Sequence, residues 1–349
     1  MDARRVCRKI PRTCGGRVSS GTPGQSLDVS GTAASAVVTL DYPQVLFRDH
    51  LSLLKLGNQW KIVHKVFSAD KTETEQEALN KVLRDWSQPV EPRRLVGNIY
   101  YVGSNVISSF LIVTPAGNIL IDTGGIQMLK QTEANIERLS FKTRDVKILL
   151  NTQAHIDHRG GFAEFKRQIG ATIAVSKLDG ELMIAGGKGD YANTGAFANG
   201  EDIGHEPIRP DRTIGDGDKI ELGGVSLTAH LTPGHTKGCT SSSMRTKENG
   251  KDYDVLFLCG LTVSTYKLTN NEKYPNIVQD VRNSFIKLRR IHADVSLAAH
   301  GFWFDFGGKA ARQKEGAPNP FIDPDGLGRH LTEMEKDFEQ SLQAQEHQR

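Results

Sequence analysis

The stretch Asn151-Thr152-Gln153-Ala154-His155-Ile156-Asp157-His158 follows directly on the apolar run Val146-Lys147-Ile148-Leu149-Leu150. The run reads as a buried strand. Two imidazoles and a carboxylate between His155 and His158 serve no purpose in a sheet ladder, but they are the donors that a divalent cation of the zinc type takes. Ligands grouped at one strand end need partners at the same sheet edge. A chain that uses this cluster must therefore be built from strands that finish together.

Two further histidines meet that demand. His235 follows the strand-like run that ends Leu231-Thr232-Pro233-Gly234, and His300 follows Val295-Ser296-Leu297-Ala298-Ala299. Each has a small residue beside it, which lets the backbone approach closely. Taken singly, a histidine after a strand is more often a cap or a satisfied core group. Together with the cluster at 153–158 the set is specific. His64, His205, His230, His292, His330 and His347 lack partners at ligand spacing and are read as surface or core residues.

The 349 residues suffice for a large core, and the pattern along them divides in two. Residues 1–34 are rich in Gly, Ser, Thr and Arg without periodicity and read as a flexible leader. Residues 35–88 read as a small antiparallel β-meander followed by a helix. Its strands are Ala36–Leu40, Val45–Leu56 and Trp60–Phe67, with Gly57-Asn58 as the hairpin turn. Pro89 and Pro92 break the chain. Residues 94–345 then alternate strand and helix, which implies a layered α/β domain. The formal charge of +3 against 44 basic and 41 acidic residues argues against a polyanion binder, so no nucleic-acid partner is expected. No apolar run is long enough to span a bilayer, and none is expected to. The basic first 30 residues lack the apolar segment of a secretory signal, so the expectation is cytoplasmic, or periplasmic or secreted if the gene start is truncated. Cys7, Cys14, Cys239 and Cys259 match no zinc knuckle or disulfide framework and are read as reduced thiols. Exposed edges on the meander suggest a homodimer through strand pairing.

The motifs Asp122-Thr123-Gly124-Gly125, Gln153 to Gly161, Pro233-Gly234-His235-Thr236 and Ala299-His300 resemble, in that order, those of the metallo-β-lactamase superfamily. The resemblance implies an αββα sandwich with a zinc site for one or two ions at one edge. Mapped onto it, Gln153, His155 and His235 take the first-metal positions; Asp157, His158 and His300 take the second. Gln153 stands where the motif has its first histidine. Asp122 is read as supporting the ligands, not as binding metal. Phe47 to Lys55 and Trp60 to Val63 resemble part of a nuclear-transport-factor-2-like domain.

The run Val255 to Val263 carries no carboxylate where glyoxalase II-like hydrolases and acyl-homoserine lactonases have a bridging aspartate. Gly260 aligns with the cysteine ligand of subclass B1, and Cys259, its neighbour, points to the opposite strand face and is read as packing. A second-site set of Asp, His and His resembles subclass B3. That resemblance implies a zinc hydrolase that opens the amide of β-lactam antibiotics by metal-bound hydroxide, with Asp157 orienting the water. Thr262 and Ser264 would hold a substrate carboxylate. The alternative is a hydrolase of the same fold acting on a lactone, thioester or other ester. Glutamine is a poorer zinc donor than imidazole, so the first site is expected to be the weaker.

Overall fold

A computed structural model describes residues 26–42, 45–71, 75–192, 206–314 and 316–347. The chain divides into two compact units, residues 1–81 and 82–349. In the first, β1 (Ser26–Ser30), β2 (Ala33–Tyr42), β3 (Val45–Leu56) and β4 (Gln59–Lys71) form an antiparallel sheet in chain order. Helix α1 (Glu75–Trp86) follows and runs across the division.

Strand β1 corrects the expectation that residues up to 34 are a flexible leader. Leu27 and Val29 alternate with Ser26, Asp28 and Ser30, and a tight turn with Gly31 at φ 57° sets Ser30 opposite Ala33. Residues 1–25, including Cys7 and Cys14, lie outside the described residues. Register gives this sheet two unlike faces. Val29, Ala34, Leu53 and Ile62 lie opposite one another on one face, while Asp28, Ser35, Ser52 and His64 lie on the other. Leu53 is buried, whereas Val29 and Ile62 at the edges are exposed.

The second unit stacks two sheets between helices. Its larger sheet runs β11 (Arg212–Ile214), β10 (Thr172–Ser176), β9 (Val146–Leu150), β8 (Gly117–Ile121), β7 (Phe110–Thr114), β6 (Ile99–Tyr101) and β5 (Arg93–Val96). From β8 to β11 the neighbours are parallel, and from β5 to β8 they are antiparallel. The smaller sheet runs β12 (Lys219–Leu222), β13 (Val225–Leu231), β14 (Thr240–Glu248), β15 (Lys251–Leu258) and β16 (Val295–Ala298).

Strands packed on both faces have no polar side to spare. Ile119 and Ile121 join the core between the sheets with Leu227, Ala229 and Phe257, while Leu120 between them joins the outer core. Leu149 and Leu150 split the same way, as do Ile173 and Ala174. The outer core of the larger sheet packs on α2 (Leu129–Arg138), α4 (Phe162–Ile169) and α5 (Lys177–Ile184). On the other side of the unit lie α6 (Ile277–Leu288) and the long α8 (Gly326–Glu346), whose Phe285 and Phe338 rings are 6.3 Å apart. This is the αββα order. The remaining helices are α3 (Ile156–Arg159) and α7 (Phe306–Arg312).

Candidate metal centre

Loops at the ends of β8, β9, β13, β15 and β16 converge at one edge of the sandwich. After β9 the chain bends at Thr152, reaches His155 at an extended φ −71° and ψ 151°, and then turns into the single helical turn α3. That change of backbone separates His155 from Asp157 and His158, so one octad serves two positions.

At the first position His155 Nδ1 and His235 Nε2 face each other at 3.1 Å. At the second, His158 Nε2 lies 3.3 Å from His300 Nε2 and 3.2 Å from Asp157 Oδ2, and His300 Nε2 lies 3.5 Å from Asp157 Oδ2. Two donors each ~2.05 Å from a tetrahedral zinc are ~3.3 Å apart, so both spacings fit that ion. Gln153 is fully buried, and neither atom of its amide has a hydrogen-bond partner among the described residues. A buried amide left unpaired costs ~1–3 kcal/mol, which a cation taking the oxygen would offset. Asp157, His158 and His300 thus form a group that could hold a metal ion, and His155 with His235 stand at a spacing that suits two of its donors.

The ring nitrogens that face away from these points are mostly held. His158 Nδ1 is 3.2 Å from Asp122 Oδ2 and His235 Nδ1 donates to the Thr262 carbonyl at 2.6 Å, while His155 Nε2 faces Asp190 Oδ2 at 3.0 Å as an ion pair outside hydrogen-bond geometry. Such partners fix ring orientation and tautomer. Asp122 itself sits at φ 54° and accepts from the Thr152 N–H and hydroxyl and from the Asn151 amide. His300 Nδ1 has no partner among the described residues. Tyr266 stacks on His235, and its hydroxyl donates to the His235 carbonyl at 3.2 Å.

The charges follow from these neighbours. Burial depresses His235 to about 3 and His300 to about 3, with His155 and His158 beside them adding to the effect. Both are thus neutral donors at neutral pH. Burial would also depress His158, but the Asp157 and Asp122 carboxylates outweigh it and push it up to about 10. Asp157 is held well below the usual carboxylate range, against burial, chiefly by His158. A cation entering the second position displaces the His158 proton, so its affinity rises with pH.

Thr262 contributes its carbonyl to His235, and its hydroxyl lies 3.4 Å from His235 Nδ1; Ser264 is exposed two residues on. Asp190 escapes the sequence reading. Its only signal is its place in the Gly-rich stretch that begins at Gly186. The cysteines need a correction. Cys239 and Cys259 form a disulfide with Cα atoms 5.9 Å apart, so they are not reduced thiols, and Cys259 sulfur is not a ligand. The antiparallel register Ser242↔Phe257 brings the two together across 20 residues of sequence.

Comparison with known proteins bears on the family and the fold. The family model described as the metallo-beta-lactamase superfamily matches residues 102–248, and one described as putative lumazine-binding matches residues 22–68. The latter supports in part the nuclear-transport-factor-2-like resemblance. The crystal structure of BJP-1, a subclass B3 metallo-beta-lactamase of Bradyrhizobium japonicum, is 39% identical with a TM-score of 0.71. The match covers 76% of this chain and 98% of that one. A probable metallo-hydrolase of Burkholderia pseudomallei is 32% identical over 30% of this chain, which spans only 33% of that relative's length. The hydroxyacylglutathione hydrolase GloC of Haemophilus influenzae is 25% identical over 58% of this chain and 86% of its own. With 98% of BJP-1 covered at that identity, the chain belongs to the metallo-β-lactamase superfamily.

Proposed function

We propose that the chain is a zinc-dependent hydrolase that opens the amide bond of β-lactams. Membership of the superfamily supports metal-dependent hydrolysis, and one observation carries the finer reading. At the end of β15, where relatives acting on esters place a bridging carboxylate, stands Gly260. A Cβ there would lie 2.5 Å from His235 Cδ2, so the position has no room for a side chain. The donors left are Gln153, His155 and His235 at one position and Asp157, His158 and His300 at the other, the set resembling subclass B3.

Bound there, zinc supplies Lewis acidity and brings the pKa of water toward neutrality. The protein's own groups do the rest. Asp157, a carboxylate 3.2 Å from His158 Nε2, would accept a hydrogen bond from the attacking water and aim it at the carbonyl. Asp122, Asp190 and the Thr262 carbonyl hold three imidazole rings so that no reorganisation is needed as charge develops. Thr262 and Ser264, beyond the Gly260 strand end, offer hydroxyls to a substrate carboxylate.

Gln153 makes the first position the weaker. Zinc analysis after dialysis is expected to find one tight equivalent, and Gln153→His should tighten the other; two equally tight equivalents in the unaltered chain would refute the asymmetry. The likeness to a hydroxyacylglutathione hydrolase favours a second reading, a thioester or lactone hydrolase with incidental β-lactamase activity. Steady-state hydrolysis of a carbapenem, a cephalosporin, an acyl-homoserine lactone and a glutathione thioester decides between them. Greater kcat/KM for the thioester or lactone would overturn the first.

A further inference from the structure

Asp179 lies on α5, outside both donor sets, yet three hydrogen bonds converge on its carboxylate. Oδ2 accepts from the Ala154 N–H at 2.9 Å and from the Thr236 hydroxyl at 2.8 Å, while Oδ1 accepts from the Gly238 N–H at 2.9 Å. Ala154 stands between Gln153 and His155, and Thr236 follows His235. The side chain is 1% exposed, so water cannot replace any of the three bonds. Packing adds to the tie. Gly238 lies so close that a Cβ on it would be 2.5 Å from the Asp179 nitrogen, and its carbonyl accepts from Ser176 at 2.6 Å.

One buried anion thus grips both loops that supply the first donor set. None of its hydrogen bonds goes to Asp157, His158 or His300, nor to residues next to His300. We propose that Asp179 is the positioning residue of the first metal site, fixing the separation of His155 Nδ1 and His235 Nε2 near the value that a tetrahedral ion requires. The proposal rests on the reading of Gln153, His155 and His235 as one site. It also explains why a tie is needed at that place. With an amide in place of the third imidazole, two rings carry most of the affinity, and their spacing tolerates less drift.

The test uses the full chain and zinc itself. Asp179→Asn keeps the shape but turns an amide N–H₂ toward donors, so that Ala154 or Gly238 loses its acceptor. Thr236→Val deletes one donor and leaves the bonds to Ala154 and Gly238. His155→Ala identifies which zinc equivalent belongs to the first donor set. Each protein is titrated with zinc against a chromophoric chelator, with circular dichroism as the check on folding.

Asp179→Asn is expected to weaken the His155-dependent equivalent ~10-fold or more, the scale found when partners behind metal ligands are removed, and to leave the other within ~2-fold. Thr236→Val should weaken the same equivalent by less. If Asp179→Asn leaves both equivalents as they were, or weakens both alike, the proposal is overturned. Should Asp179→Asn not fold, Thr236→Val decides, because selective weakening supports the proposal and no change, or equal weakening of both, sinks it. A His155→Ala chain that retains both equivalents unchanged refutes the metal assignment, and the proposal falls with it.

Discussion

Acid should loosen this protein through a residue away from its chemistry. His330, on α8, is 7% exposed, its Nε2 has no hydrogen-bond partner among the described residues, and its ring lies 6.1 Å from that of Trp303. Burial pushes its pKa from 6.5 down to about 4. Between those values the unfolded chain binds a proton that the native chain does not. Stability from the neutral ring is therefore complete above pH ~6.5 and is lost as pH falls toward ~4. At ~1.36 kcal/mol per pH unit, the ~2.5 units amount to ~3 kcal/mol. The assay is urea unfolding of the unaltered chain and of His330→Leu at pH 7.5 and at pH 4.5. Chelator in both removes competition between protons and metal. Comparing the two chains at each pH cancels the other titrating groups. The gap between them should move by ~2–3 kcal/mol in favour of the variant on acidification. A gap that stays constant between the two pH values would show that His330 is not held neutral by burial.

Three further outcomes are expected. Asp122→Asn removes an anionic acceptor from His158 and from Thr152, and should weaken zinc at the second position ~10–100-fold, read by chelator competition; an unchanged affinity would refute the positioning role. Gly260→Ala puts a methyl group 2.5 Å from His235 Cδ2 and should release the first-position zinc while leaving the second in place. Equal retention of both ions would mean that the strand end yields instead. Phe285→Ala empties a site between α6 and α8 and should destabilise the second unit by ~3–5 kcal/mol in urea unfolding, with less than ~1 kcal/mol counting against the packing described.

Much of the site is legible in the sequence because its chemistry is local. Gln153, His155, Asp157 and His158 sit in one octad after a strand whose bounds, Val146–Leu150, coincide with its apolar run. His235 and His300 follow strands that the same periodicity finds, and strands packed on both faces announce themselves as unbroken apolar runs. What stays hidden depends on partners distant in the chain. Asp190 and Asp179 are ordinary loop and helix carboxylates until folding brings them to His155 and to Ala154 with Thr236. The disulfide is hidden for the same reason, since only the β14–β15 register makes Cys239 and Cys259 neighbours. Strand β1 is hidden differently. Its alternation covers five residues inside a Gly/Ser/Thr-rich stretch, and too few apolar positions stand out from that background. Helix α8 shows that a pattern can be present and go unread. Leu327, Leu331, Met334, Phe338 and Leu342 recur at helical spacing and are all buried, although the sequence reading assigns no element there.

The bond between Cys239 and Cys259 gives the molecule a chemical history. Both sulfurs are buried, and Cys259 adjoins the glycine that packs against His235. With both sulfurs shielded once β14 and β15 have packed, oxidation is easiest before packing is complete. Material made where thiols stay reduced would differ by a pair of hydrogen atoms sealed beneath the first donor set. Two preparations of one sequence could then be two distinct substances. The redox conditions of synthesis, not those of the assay, would decide which of them is measured.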